Sequence, residues 1–166
     1  MRTSTLLAVT LATFGFAQLA SADATANLSV SASVVNGCTI TGNTLGFGAY
    51  NTVSGAAVNS SALIQVACTT GTETTITLGE GAHPEGASSA TVPLRRMIDD
   101  NGNLMSYLLF SDARRLTVWG DTVGTGLPYT AETSAGADQT VFGRITANQD
   151  LPAGTYTDSV VATIAF

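Results

Sequence analysis

The chain has 166 residues, enough to bury one sizeable core, and its formal net charge of −6 comes from six arginines, no lysine and twelve carboxylates. So acidic a balance argues against nucleic acid or an anionic membrane as partner, since both recognise clustered cations. Charged residues make up only 11% while Thr, Ser, Ala, Gly and Val abound, a mixture that suits short strands joined by tight turns and is poor in helix formers.

Arg2, the mostly apolar stretch from Leu6 to Ala20 and the small-x-small triplet Ala20-Ser21-Ala22 predict a secretory signal over residues 1–22, leaving Asp23 first in the mature chain. The apolar stretch is short and broken by Thr, Gly and Gln, which weighs against an uncleaved membrane anchor. The mature chain is therefore expected to be exported and soluble, with no membrane insertion.

From Ala24 to Val34 the sequence alternates without error. Ala24, Ala26, Leu28, Val30, Ala32 and Val34 share one parity and Thr25, Asn27, Ser29, Ser31 and Ser33 the other, the period of a strand with one buried face. Residues 23–35 would stand at the start of the exported protein, where a strand is ordered only if something tethers it. Ser159 to Phe166 is β-branched and strand-like as well. Two such edges are candidate sites for pairing with other chains.

Between them, residues 36–166 read as one all-β domain. Frequent glycines divide it into runs at Leu45–Tyr50, Ala62–Cys68, Thr74–Leu78, Leu94–Ile98, Leu104–Phe110, Leu116–Trp119, Thr140–Ile145 and Thr155–Phe166, the rhythm of a sandwich or barrel. Asn101-Gly102 signals a hairpin, and residues 79–90 and 120–138 read as loops. Cys38 follows the turn signal Asn36-Gly37 and Cys68 ends an apolar run. An even cysteine count in an exported chain favours a structural disulfide over a reactive or metal-binding pair.

No catalytic constellation emerges, and the chain is not read as an enzyme. The single histidine, His83, precedes Pro84 in a loop, and no Gly-x-Ser-x-Gly elbow surrounds a serine. Asp99-Asp100-Asn101-Gly102-Asn103 lacks the spacing and closing Glu of a calcium loop, so a hairpin turn explains it better. No metal or cofactor is expected. In Arg95-Arg96 and Arg114-Arg115, one member of each pair is expected to support the fold through a carboxylate such as Asp112 or Asp121, the other being solvated; an anion site is the weaker alternative. Trp119 reads as core or loop anchor, although with Tyr129 it keeps a carbohydrate platform open.

Read in order, Asn36-Gly37-Cys38, Phe47-Gly48-Ala49-Tyr50, Val66-Ala67-Cys68-Thr69, Leu94-Arg95-Arg96-Met97, Tyr107-Leu108-Leu109-Phe110-Ser111-Asp112, Val118-Trp119-Gly120-Asp121, Val141-Phe142-Gly143-Arg144-Ile145 and Ala153-Gly154-Thr155-Tyr156-Thr157-Asp158 span nearly the whole mature chain. This succession resembles the spore coat protein U domain family, which includes subunits of archaic, Csu-type chaperone-usher pili. The resemblance implies an incomplete immunoglobulin-like sandwich lacking its last strand. It also implies three partners: a periplasmic chaperone, an outer-membrane usher, and other pilin subunits in a head-to-tail fibre at the cell surface.

Strand physics supplies the mechanism to expect. A sheet missing one strand exposes an apolar cleft, and an extended segment of period two can fill it with ladder hydrogen bonds and core contacts together. Leu28, Val30 and Val34 are the expected main anchors of such a donor strand, with Ala24, Ala26 and Ala32 in shallower pockets. The receiving groove is expected to be edged by Val160, Ala162, Ile164 and Phe166. The competing readings are a monomeric secreted β-sandwich binding module whose N-terminal strand pairs within its own domain, and a spore-coat-like structural protein.

Overall fold

The computed structural model describes residues 24–166, so the expected signal sequence 1–22 and its cleavage before Asp23 lie outside the described residues. The chain divides into two units at Ser33 and Val34. Residues 24–33 carry no strand, and Leu28 and Val30 are 86% and 85% exposed.

The unit from Val34 onward is all-β. Its strands are β1 (Cys38–Gly42), β2 (Val58–Cys68), β3 (Glu73–Leu78), β4 (Arg95–Ile98), β5 (Leu104–Phe110), β6 (Leu127–Thr130), β7 (Ala137–Ile145) and β8 (Ala162–Ala165). They form a five-stranded sheet, β1-β2-β7-β5-β4, and a three-stranded sheet, β6-β3-β8, with every pairing antiparallel. The two-residue period of each strand decides which side chains meet between the sheets. Ile64 and Val66 on β2, Met105, Tyr107 and Leu109 on β5, and Val141 and Ile145 on β7 point inward, against Ile76 and Leu78 of β3 and the buried Trp119. β2 and β5 therefore run where expected, β2 starting four residues early at Val58.

Four expectations change. Leu45–Tyr50 is not a strand: Gly48 sits at φ 72, a left-handed conformation incompatible with a ladder, and Leu45 and Phe47 reach the core from an irregular segment. Leu116–Trp119 contributes only a bridge from Val118 to Phe110, because Asp112 folds the approach back by accepting from Leu116 N and Thr117 N at 3.0 and 2.7 Å. Thr155–Phe166 is split. Thr157 bridges Ile98 in one sheet, and the chain then crosses to the other sheet as the short β8. The interval 120–138 is not all loop, since it holds β6, an edge strand whose Pro128 has no N–H to offer a further neighbour.

The Asn101-Gly102 hairpin joins β4 to β5 as expected, with Gly102 at φ 85. The carboxylate of Asp99 builds that turn, accepting from Asn101 N, Asn103 N and Asn103 Nδ2 at 2.8–3.0 Å. Cys38 and Cys68 are disulfide-bonded and are also register partners across β1 and β2. Sequence reasoning missed β1 itself, a strand that opens on the bridged Cys38.

Candidate functional site

β3 has neighbours on both sides, but among the described residues β8 pairs with β3 alone and its other edge takes part in no ladder. β1 and β8 approach one another without pairing. The sandwich is open along this seam, and a cleft of about 1210 Å³ runs into the core there. One wall is the continuation of β1, Gly42–Thr52, and the other is the segment from Leu151 to Val160 with Ala162. Ile64, Leu78, Met97, Met105, Leu109, Val141 and Ile145 reach it from the two sheets, so its floor is made of apolar core residues.

Polar contacts hold both walls. The Gln149 side chain accepts from Ser106 N at 2.7 Å and donates to the carbonyls of Ser106 and Thr146, while its backbone N–H donates to the Tyr50 hydroxyl at 2.9 Å. The start of the Leu151 wall is thereby fixed to β5 and to the opposite wall. On the β8 side, Asp158 accepts from the Tyr107 hydroxyl at 2.6 Å and from Ala82 N at 2.9 Å, and its side chain is only 3% exposed. Burial, then the hydrogen bond to this carboxylate, pushes the Tyr107 phenol above its ordinary range. His83 lies 3.8 Å from Asp158 through Nδ1 with its side chain 40% exposed, and that nitrogen has no hydrogen-bond partner among the described residues.

The paired arginines follow the expectation in part: Arg114 is exposed while Arg115 is held, but Arg95 and Arg96 are both held, and the partners are carbonyls rather than carboxylates. Arg95 is fully buried and satisfies carbonyls rather than a carboxylate: Nε donates to Gly79 O at 2.7 Å, and Nη2 to Leu78 O and Trp119 O at 2.6 and 2.8 Å. The acceptors come from the end of β3 and from Trp119, and a forked guanidinium reaches all three at once. Desolvation lowers this guanidinium to about 10, so it stays cationic at neutral pH. Arg96 is likewise held by the carbonyls of His83 and Pro84, and Arg115, at φ 57, by those of Gly143, Ala113 and Ser60. Asp121 accepts instead from Thr77 Oγ1, and Asp112 from backbone. Trp119 is fully buried with Nε1 donating to Ile76 O at 2.8 Å, which removes the Trp119–Tyr129 sugar platform.

Of the residues named for the groove edge, Val160 and Ala162 line the cleft, whereas Ile164 packs on the core away from it and Phe166 lies beyond β8, 67% exposed. Ala24, Ala26, Leu28, Val30, Ala32 and Val34 are all exposed. Sequence reasoning missed the Gly42–Thr52 wall and the floor residues Met97, Met105 and Leu109. The floor residues lie in two recognised runs that were not assigned to a cleft; the wall includes Leu45–Tyr50, which read as a strand and is not one. Chemically the site offers an apolar trough beside one unpaired strand edge, an arrangement that can bind an extended apolar segment.

Comparison with known proteins follows the same lines. A curated relative, "Protein U" of Myxococcus xanthus, is 40% identical over 161 residues, covering 91% of this chain and 89% of its own. A chain in the crystal structure of the CsuC–CsuE chaperone–tip adhesion subunit pre-assembly complex, from archaic chaperone-usher Csu pili of Acinetobacter baumannii, aligns with TM-score 0.55 at 19% identity. That alignment covers 80% of this chain but only 40% of the longer one, and it shows a shared immunoglobulin-like sandwich fold. Residues 24–163 match the Spore Coat Protein U domain, and the chain belongs to that family.

Proposed function

We propose that this protein is a structural subunit of a secreted surface fibre, built by donor-strand exchange between copies of the chain or with related subunits. One observation carries the reading: the sandwich has an apolar cleft beside an unpaired β8 edge, and the same chain carries, at residues 24–34, an exposed segment of strand period. Leu28, Val30 and Val34 enter the cleft of the next copy, each contributing roughly 1.5–3 kcal/mol on full burial, while Ala24, Ala26 and Ala32 fill shallower positions. A head-to-tail contact of this kind does not close on itself, so it extends into a filament. Before assembly a periplasmic chaperone fills the cleft, and an outer-membrane usher passes subunits outward. The fibre serves adhesion or biofilm formation.

The comparisons support the setting through names that belong to the relatives: archaic chaperone-usher pili for the structural neighbour, and a spore coat protein for the family. The family name and the Protein U relative favour a second reading, a spore-coat-like structural layer. The test is Leu28→Asp or Val30→Asp, which drives a carboxylate toward an apolar trough at a cost of several kcal/mol. Variant subunits are expected to fold with the chaperone and fail to form fibres; normal fibres from either would overturn assembly through this segment.

A further inference from the structure

We propose that Thr69 is a positioning residue for strand exchange: it holds the root of the donor segment extended, so that the segment serves another copy rather than its own cleft. The inference rests on the donor-strand reading above and adds its direction. Just past β2, the Thr69 hydroxyl accepts from Gly37 N at 3.1 Å and donates to Val35 O at 3.2 Å, while Thr69 N donates to Gly37 O at 2.9 Å. The next rung is the Cys38–Cys68 register pair with its disulfide. The side chain of Thr69 thus stands in for a strand residue and carries the β1 ladder outward to Val35.

Asn36-Gly37 is a strong signal for a reversing two-residue turn, which requires positive φ at both positions. Neither residue adopts it: among non-glycines only Arg115 and Asn148 have positive φ in the described chain, and Gly37 is not among the glycines that do. The consequence is topological. The wall of the cleft is the continuation of β1, so a segment leading into β1 can lie in that cleft only by reversing at residues 35–37. A tethered strand meets its own groove at an effective concentration on the order of millimolar, and self-insertion would outcompete any other copy unless the tether forbids it. Three hydrogen bonds at the root, next to the disulfide-bonded rung, oppose that reversal here.

The experiment uses the full-length exported chain, unfolded in denaturant and refolded by dilution without reductant, with the ratio of monomer to oligomer read by size-exclusion chromatography and light scattering. Thr69→Ala is expected to raise the monomer fraction severalfold, and those monomers should melt as high as the oligomer because their cleft is filled. Thr69→Ser should restore the wild-type ratio. A merely structural role would lower the melting temperature of monomer and oligomer alike and leave the ratio unchanged. Should Thr69→Ala fail to refold, Thr69→Val keeps the side-chain volume, removes both hydroxyl hydrogen bonds and should also yield filled monomers. A wild-type ratio in the alanine variant, or in the valine variant where the alanine variant does not refold, would overturn the latch. Leu28→Asp run in parallel separates the two claims: if it oligomerises as wild type does, donor-strand exchange has failed as well.

Discussion

The Tyr107 hydroxyl donates to the Asp158 carboxylate at 2.6 Å, fastening β5 to the segment that feeds β8 and so fixing one wall of the cleft to its floor. Hydrogen bonds to buried charges contribute about 1.5–3 kcal/mol. Tyr107→Phe should therefore lower stability by about 2 kcal/mol in urea unfolding. In a spectrophotometric alkaline titration of the wild type, two tyrosines should stay protonated above the ordinary phenol range, Tyr107 raised by burial and the Asp158 carboxylate and Tyr156 by burial and Asp99. Tyr107→Phe should leave only one of them lagging.

Arg95 gives a second expectation. Its guanidinium satisfies three carbonyls from inside the protein, so Arg95→Met strands buried acceptors and should cost roughly 3–5 kcal/mol. Arg95→Lys should recover little, because a point ammonium cannot reproduce the fork. Denaturant midpoints of the two variants check both statements.

Acid should weaken the fold through Asp99 and Asp112. The Asn103 side chain, chiefly, holds Asp99 below its ordinary value of 3.8, and the Thr117 N–H does the same for Asp112. Folded-state values depressed in this way give stability that is complete above the unfolded value and is lost as pH falls through the folded one. Unfolding midpoints should hold steady above about pH 5 and decline below about pH 4, and Asp99→Ala with Asp112→Ala should flatten that decline while lowering the plateau.

Cys38 and Cys68 close a loop with a sequence separation of 30, for which chain-entropy arguments give roughly 3–4 kcal/mol. Intact mass should show the exported protein two hydrogens lighter than its reduced form, and Cys38→Ser should lower its periplasmic yield. Free thiols under non-reducing conditions would contradict the pairing.

How much of this was legible in the sequence depends on whether a residue's environment repeats. Leu104–Phe110 is an almost unbroken apolar run bounded by Asn103 and Ser111, and its bounds were read to the residue. The disulfide was legible from the even cysteine count and the export expected from the sequence. The Gly42–Thr52 wall was not, because its shape comes from Gly48 in a left-handed conformation and from Leu45 and Phe47 reaching the core out of register. Nor was the role of Arg95, since the carbonyls it serves, those of Leu78, Gly79 and Trp119, are all distant from it in the chain. Thr69 stood inside a quoted motif, yet its hydroxyl means something only once β1 is seen to end beside it.

The central claim, that residues 24–34 of one subunit occupy the cleft of another, is tested most directly by cysteine trapping. Val30→Cys combined in turn with Val160→Cys, Ala162→Cys and Ile164→Cys is oxidised in assembled material and separated on a non-reducing gel. Insertion between subunits predicts a ladder of covalent multimers for at least one pairing on the β8 side, abolished by adding Leu28→Asp. A cross-link confined to the monomer, or no ladder from any pairing, would contradict it.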